Sequence, residues 1–556
     1  MINIKNQYLA TAFSSFMSFF VKVFGFKYLQ INNMEPVMTA AHTFVKRSSI
    51  KATAILFCYC SAALAEPVTL EEAISRTLSQ HSAIKISQSQ VQGALADVQT
   101  TEGQFDVGLS GQIGLSNTDS ASFDSTTFQE SEISKREQSY EIDISKQFEN
   151  SVTVSLANSV GTSRTHLSPL HTVGISEWAL TVSVPLLRGF GREATTYTKR
   201  AAEKTLAATQ YSSAYDITKL VYSAVTAYWT SLGIQENYKN LKTTMQRANS
   251  TAQTLEERQK GGELTIFDYQ RSLAELRLRE VDLEEGRQRK YQGQETFAVA
   301  IGNTLTNDLP EAVGTFPEPA DAETLALLSP DRLFSLAIER RFDLKAQKHI
   351  IQAAIVNWKK RKDDTQPTLD LSVSTGYTAA QDNFSASDTF DLYLREKERN
   401  GPNLGVYLTF RYPLGNNTAL GAASSSRQGV VQTELQLEQL IRNVRNEVNV
   451  AIDKLKAAMR RYKLAAQSLA LMENVAADTM RQLNLGEATL TDMISVEDRL
   501  TQGRLRKINA LSSYAQALAE LRFVTGTLSQ GTEKNLSFNG AMFSNLPLYE
   551  MQSIEK

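Results

Sequence analysis

The stretch Trp178-Ala-Leu-Thr-Val-Ser-Val-Pro185, running on through Leu186-Leu-Arg-Gly-Phe-Gly191, decides the fold. Apolar and polar side chains alternate through Trp178–Pro185, as they do in a strand with two different faces. Past Gly191 the period changes. Ile217, Leu220, Ala224, Ala227, Ser231, Ile234, Tyr238, Leu241, Met245, Ala248, Ala252 and Leu255 recur at steps of three and four, and only Ser231 interrupts the apolar run. That spacing is a coiled-coil seam. A helix from near Ala194 to a stop at Gly261-Gly262 would span roughly 100 Å at 1.5 Å per residue. No ordinary globular domain needs such a rod.

Working outward, a capping box at Thr69-Leu-Glu-Glu72 predicts a helix start. That helix pauses near His81-Ser82 and resumes to about Gly103. Phe105, Val107, Leu109, Ile113 and Leu115 then share one strand face, with Asp106, Ser110, Gln112 and Ser116 on the other. Residues 117–139 are rich in Ser, Thr, Asp and Glu and read as an exposed loop. Tyr140–Gln147 and Ser151–Val160 read as an added hairpin around Glu149-Asn150, free either to enlarge the outer loops or to join the sheet. Beyond Gly262 a return helix is predicted over Thr265–Ile301.

The plan then starts again. Ser329–Arg340 parallels the segment from Thr69, Leu369–Tyr377 and Leu404–Tyr412 alternate as strands around a charged loop, and a second seam runs through Leu437, Val444, Ala451, Leu455, Tyr462 and Leu469. Pro185 and Pro413 lie 228 residues apart, as do Leu255 and Leu483. The two tips, Gly262-Glu-Leu-Thr265-Ile-Phe-Asp268 and Gly486-Glu-Ala-Thr489-Leu-Thr-Asp492, share the pattern G-x-x-T-x-x-D at an offset of 224, so the first tip carries four extra residues. Such a duplication is far beyond coincidence. The expected boundaries are a leader over 1–65, a first repeat over 66–302, a proline-bearing linker over 303–328, a second repeat over 329–528 and a polar tail over 529–556.

The leader reads as a secretory signal over about 38–65: basic Lys46, Arg47 and Lys51, an apolar run to Cys60, and a cleavage site at Ala63-Leu-Ala65. Cys58 and Cys60 are the only cysteines, so the remainder has no disulfide and no thiolate chemistry. Removing residues 1–65 leaves 52 basic and 59 acidic residues, a net of −7, which argues against nucleic acid as a partner. Five histidines, two of them (His166 and His171) in a polar loop, make no metal or catalytic pattern, so neither enzyme nor cofactor is expected. Nothing after Ala65 is apolar for long enough to be a membrane-spanning helix, but a barrel remains open to a secreted chain. Two strands per repeat give four per chain, or six with the hairpin. A closed barrel needs about eight or more, so copies must combine.

In the capping-box opening, the strand ending Pro185-Leu-Leu-Arg-Gly-Phe-Gly191, the duplicated tip motif and the two-repeat plan, the sequence resembles the TolC family of outer-membrane efflux and secretion channels over about Thr69–Leu528. The resemblance implies an α+β membrane protein. Three copies with four strands each would form a twelve-stranded outer-membrane barrel, continued by a long periplasmic α-helical coiled-coil barrel, with the linker at its equator. It further implies a passive exit duct for a tripartite efflux or type I secretion system, with a periplasmic adaptor and an inner-membrane pump or ABC exporter as partners. A structural or adhesive coiled-coil envelope protein is the alternative, distinguished by whether the strands' outward face is apolar.

The resemblance also implies roles for single residues. The tips, marked by Gly262, Thr265, Gly486 and Thr489, would close the periplasmic end. Asp492 falls on the first of two pore-ring positions and Ser495 on the second, with capping of its own helix an equal reading for Asp492. Asp268 matches the acidic half of a tip latch whose arginine position is here Ala488. Pro185, Arg188, Gly189, Pro413 and Gly415 mark the strand-to-helix junctions, where Arg188 would either fix the turn or snorkel.

Overall fold

Alternating stretches in each repeat and heptads in the long segments that follow them produce a sheet set on a bundle of rods. The computed structural model describes residues 67–124, 129–165, 171–263, 265–303, 309–382, 399–485 and 487–548. The leader over 1–65, His166 and Gly486 therefore lie outside the described residues.

After a short strand β1 (Pro67–Val68), helices α1 (Leu70–Gln80) and α2 (Ser82–Glu102) lead to strands β2 (Val107–Asp124), β3 (Gln129–Gln147), β4 (Thr153–Thr165) and β5 (His171–Pro185). One turn of helix, α3 (Gly191–Thr195), precedes the rod α4 (Tyr197–Lys260), which returns as α5 (Ile266–Ala300). The linker holds β6 (Glu311–Ala312) and a short α6 (Ala322–Ala326). The second repeat gives α7 (Pro330–Arg340), α8 (Phe342–Asp363), β7 (Thr368–Asp382), β8 (Arg399–Arg411), the rod α9 (Asn417–Leu485) and its return α10 (Leu490–Val524). The rods contain 64 and 69 residues, about 96 and 104 Å.

The sheet has six strands in the order β2-β3-β4-β5-β7-β8, every pair antiparallel. The expected four strands per chain are therefore six, because the added hairpin is inserted between β2 and β5. The loop expected over 117–139 is also partly strand: β2 runs on to Asp124 and β3 begins at Gln129. Its polar composition misleads because so few apolar residues leave no alternation to read.

Opposite residues of a ladder share a face. The rows Leu109–Ile144–Leu156–Leu180 and Val182–Val373–Val406 lie on one face of the sheet, and Ser110–Asp143–Ala157–Ala179 on the other. The apolar face crosses all six strands. On the edge strands it is exposed in a single chain, Leu115 at 74% and Leu404 at 76%, whereas Val160 and Ala379 of the inner strands are buried. From Val107 to Leu115 it covers roughly 30 Å of strand, about 23 Å of height at a barrel's usual tilt.

Each rod is paired twice. Its tip half packs on its return helix, and its sheet half on shorter helices, α2 and α8 for α4 and α8 again for α9. The joint between the two partners is the equator. There α5 and α10 end in matching Schellman turns: Gly302 and Gly526 adopt φ +73° and +68°, and the amides of Asn303 and Thr527 donate to Ala298 and Arg522 carbonyls at 2.9 Å. Gly302 lies against His81, which caps α2, and Gly526 against Arg341, which precedes α8.

Val221, Val225, Tyr228, Trp229 and Leu232 of α4 face this joint, so the rod buries a second face here besides its seam. The linker and tail fill the rest. Parallel pairing of β1 with β6, the Tyr228 hydroxyl donating to the Val313 carbonyl at 2.8 Å and the Ala320 amide donating to Tyr514 Oη at 2.9 Å hold the linker. The tail is docked: Phe543 is fully buried, and the Arg522 guanidinium donates to the carbonyls of Asn545 and Leu546 at 2.7 and 3.2 Å.

Candidate functional site

Two places join these elements into one device: the strand-to-helix junction and the paired helix tips. At the junction β5 stops at Pro185, and the next amide, Leu186, still donates to Leu369 O at 2.7 Å. Gly189 and Gly191 then adopt φ +79° and +83°, conformations costly for a side-chain-bearing residue. The carboxylates that close α8 receive this turn: Gly189 N–H donates to Asp363 at 2.8 Å and Arg188 Nη2 to Asp364 at 2.7 Å. Arg188 thus ties the turn to the end of α8. In the second repeat Pro413 follows the end of β8, but the left-handed residue is Asn416 (φ 42°) and not Gly415. The Asn416 side-chain amide donates to Thr365 O at 2.8 Å.

At the tips Thr265 and Thr489 cap the return helices, accepting from the amides of Asp268 and Asp492 at 3.1 and 3.2 Å. Asp492 reaches back to the Thr489 amide at 3.0 Å, completing a capping box, and Asp268 accepts from the Thr265 hydroxyl at 2.6 Å. Gly262 supplies the left-handed residue of the first tip at φ +77°. The hydroxyl and amide of Thr489 hold the Asp492 carboxyl below its usual range. A lowered folded value means that the box is intact above the unfolded carboxylate pKa of about 3.9 and is lost as pH falls through that lowered value. Asp492 and Ser495 are exposed, one turn apart. Neither Asp268 nor Asp492 bonds across to the other hairpin, and Ala488 offers no cation.

The tie between hairpins sits one to three turns higher with its polarity reversed, the cations being on the first hairpin. Arg271 Nη1 donates to Thr491 Oγ1 at 2.6 Å. Arg279, only 13% exposed in its side chain, meets Glu275 at 2.5 Å and Asp282 and Asp498 at 3.3 Å each. Burial alone would lower the pKa of Arg279, and these three carboxylates more than reverse it. Arg247 adds a looser contact of 3.7 Å to Glu497. Sequence reading overlooked Arg271, Arg279 and Asp498. The signal available was that Arg271/Arg279 and Thr491/Asp498 each repeat at about two helical turns on return helices that the duplication makes equivalent.

Residues 333–527 match the family model described as outer membrane efflux protein. The second repeat thus carries the sequence pattern of an outer membrane efflux protein domain. Solved channels share its fold. The CmeC outer membrane channel of Campylobacter jejuni is 14% identical with a TM-score of 0.59, covering 82% of this chain and 85% of its own. VceC of Vibrio cholerae is 15% identical (TM-score 0.57; 82% and 96%), and the open state of MtrE of Neisseria gonorrhoeae 13% (0.57; 82% and 88%). No curated protein matches the chain. The resemblance to TolC-type channels thus holds for the fold, and the second repeat also matches the outer membrane efflux protein model. Among the described residues no helix is long and apolar enough to cross a membrane, and no cluster of metal-ligating side chains occurs.

Proposed function

We propose that three copies close edge to edge, β8 of one against β2 of the next, into a passive exit duct that serves an inner-membrane pump through a periplasmic adaptor. One observation carries this reading: a face that is mostly apolar across six strands backs a face of small and polar residues, and the same chain turns directly into two long helical hairpins. A soluble cap on an adhesive coiled coil would need polar residues where Leu109, Leu156, Val373 and Leu408 stand. Trp178 and Tyr377, directly paired, with Tyr140 one row farther out, suit the outer interface, and Tyr412 the inner one. Closure satisfies the open edges of β2 and β8, which lipid would leave unpaired at several kcal/mol per group.

The tips would be the gate, held within each chain by Arg271 and Arg279. A groove along α4 and α5, lined by Tyr238, Arg277, Glu280, Glu284, Arg287 and Tyr291, offers an adaptor helix a charged seat. Energy would come from the pump. Efflux of small solutes fits the family's description better than protein secretion. Reconstitution in planar bilayers tests the conduit: ion-conducting channels are expected, and a protein that never conducts would refute it. Co-purification from native membranes tests the partner, a pump and adaptor being expected. The pore-ring role of Asp492 has its own check. Asp492→Ala is expected to weaken block by multivalent cations several-fold, because three carboxylates near one axis concentrate such ions; unchanged block would leave Asp492 a helix cap alone.

A further inference from the structure

The second repeat sends one strand out and one back, whereas the first sends two pairs. The extra pair, β3 and β4, continues both faces of its neighbours. Ile142, Ile144, Val154 and Leu156 fall in the apolar rows, and Ser139, Glu141, Asp143, Ser155 and Ser159 in the polar ones. A hairpin lying over the outer mouth would have no reason to keep that match. Its inner turn is also anchored at the junction. Ser151, almost fully buried at φ +76°, accepts from Gly191 N–H at 3.1 Å. Glu149 pairs with Arg192 at 2.8 Å and Lys199 at 3.4 Å, and Lys199 also meets Glu102 of α2 at 3.0 Å. The hairpin thus starts from the same level as the other strands.

We infer that β3 and β4 are wall, so that the barrel has eighteen strands and encloses a vestibule wider than twelve strands would give. This rests on the closure by three copies proposed above. Strands about 4.8 Å apart and tilted about 40° give a backbone diameter of about 24 Å for twelve strands and about 36 Å for eighteen. The inward rows are mostly Gly, Ser, Thr and Ala, which take little of that bore. Size selection then falls to the helix tips, and the outer-membrane segment passes whatever the tips admit.

Poly(ethylene glycol) exclusion in planar bilayers tests the vestibule. The intact chain is compared with one in which residues 125–170 are replaced by a short glycine–serine loop, so that β2 pairs β5 as β7 pairs β8. Polymers added on the outer side are expected to enter the intact channel up to a clearly larger size than the variant, with the same cut-off from the tip side. Equal outer cut-offs would overturn the inference while leaving the conduit standing, and the absence of channels from the intact protein would instead refute the conduit. Should the shortened chain not fold, single cysteines decide. Asp143→Cys and Ser159→Cys are expected to react with a charged thiol reagent, and Ile144→Cys and Leu156→Cys to be protected; equal reaction on both faces would place the hairpin outside the wall.

Discussion

Gly302→Ala is expected to cost about 2–5 kcal/mol, the sum of a left-handed conformation and a backbone clash. Gly526→Ala is expected to cost less. Both glycines end return helices at the equator with positive φ, so both substitutions pay the conformational penalty. They differ in what the new methyl group meets. At Gly302 it would stand 2.6 Å from His81 Cα and 2.9 Å from the His81 amide nitrogen, and backbone cannot swing aside. At Gly526 the nearest atoms, the Arg341 nitrogen and the Arg340 carbonyl carbon, lie at 3.1 and 3.2 Å, within reach of a small shift. Denaturant unfolding of the detergent-extracted protein reads the difference. Equal losses would mean that the equatorial joint is more pliant at α1–α2 than its packing implies.

Removing the Arg279 charge is expected to have the largest effect on conductance. Arg279→Gln leaves Asp498 without its cross-hairpin partner while keeping much of the side-chain volume. Asp498 is half exposed, so the tie is valued as a partly solvated pair at about 1 kcal/mol per copy. Three copies opening together would multiply the open-to-closed ratio roughly a hundredfold. Single-channel recordings of Arg279→Gln, Asp498→Asn and the double variant check this. The double variant should open no more than Arg279→Gln, because both substitutions break one contact. An unchanged open probability in Arg279→Gln would show that the tips are not held there.

Much of this architecture is legible in the chain. The strand Trp178–Pro185, the rods on either side of the duplication and the capped tips all follow from alternation, heptad spacing and the pair Thr265/Thr489, because each is a local pattern with one physical reading. What escapes is whatever depends on pairing over distance. The hairpin Gln129–Thr165 alternates only where it crosses the apolar band. Beyond Gln138 and Thr162 both its faces are polar, so composition alone suggests a loop. The tail's buried Phe543 and the packed Leu546 and Leu548 have no period, and only the equatorial surface they meet gives them a place. Arg279 and Asp498 are 219 residues apart, on helices whose facing sides are set by packing. The family's latch positions directed attention to Asp268 and Ala488, whereas the contact that joins the hairpins runs through other turns with the charges exchanged.

The central claim is that one chain carries only part of a closed wall. Native mass spectrometry of the protein lacking residues 1–65, in detergent, tests it most directly. Three copies in one particle, dissociating only when the β2 and β8 edges part, is the predicted result; a single chain that stays monomeric and dissolves in water without detergent would contradict it.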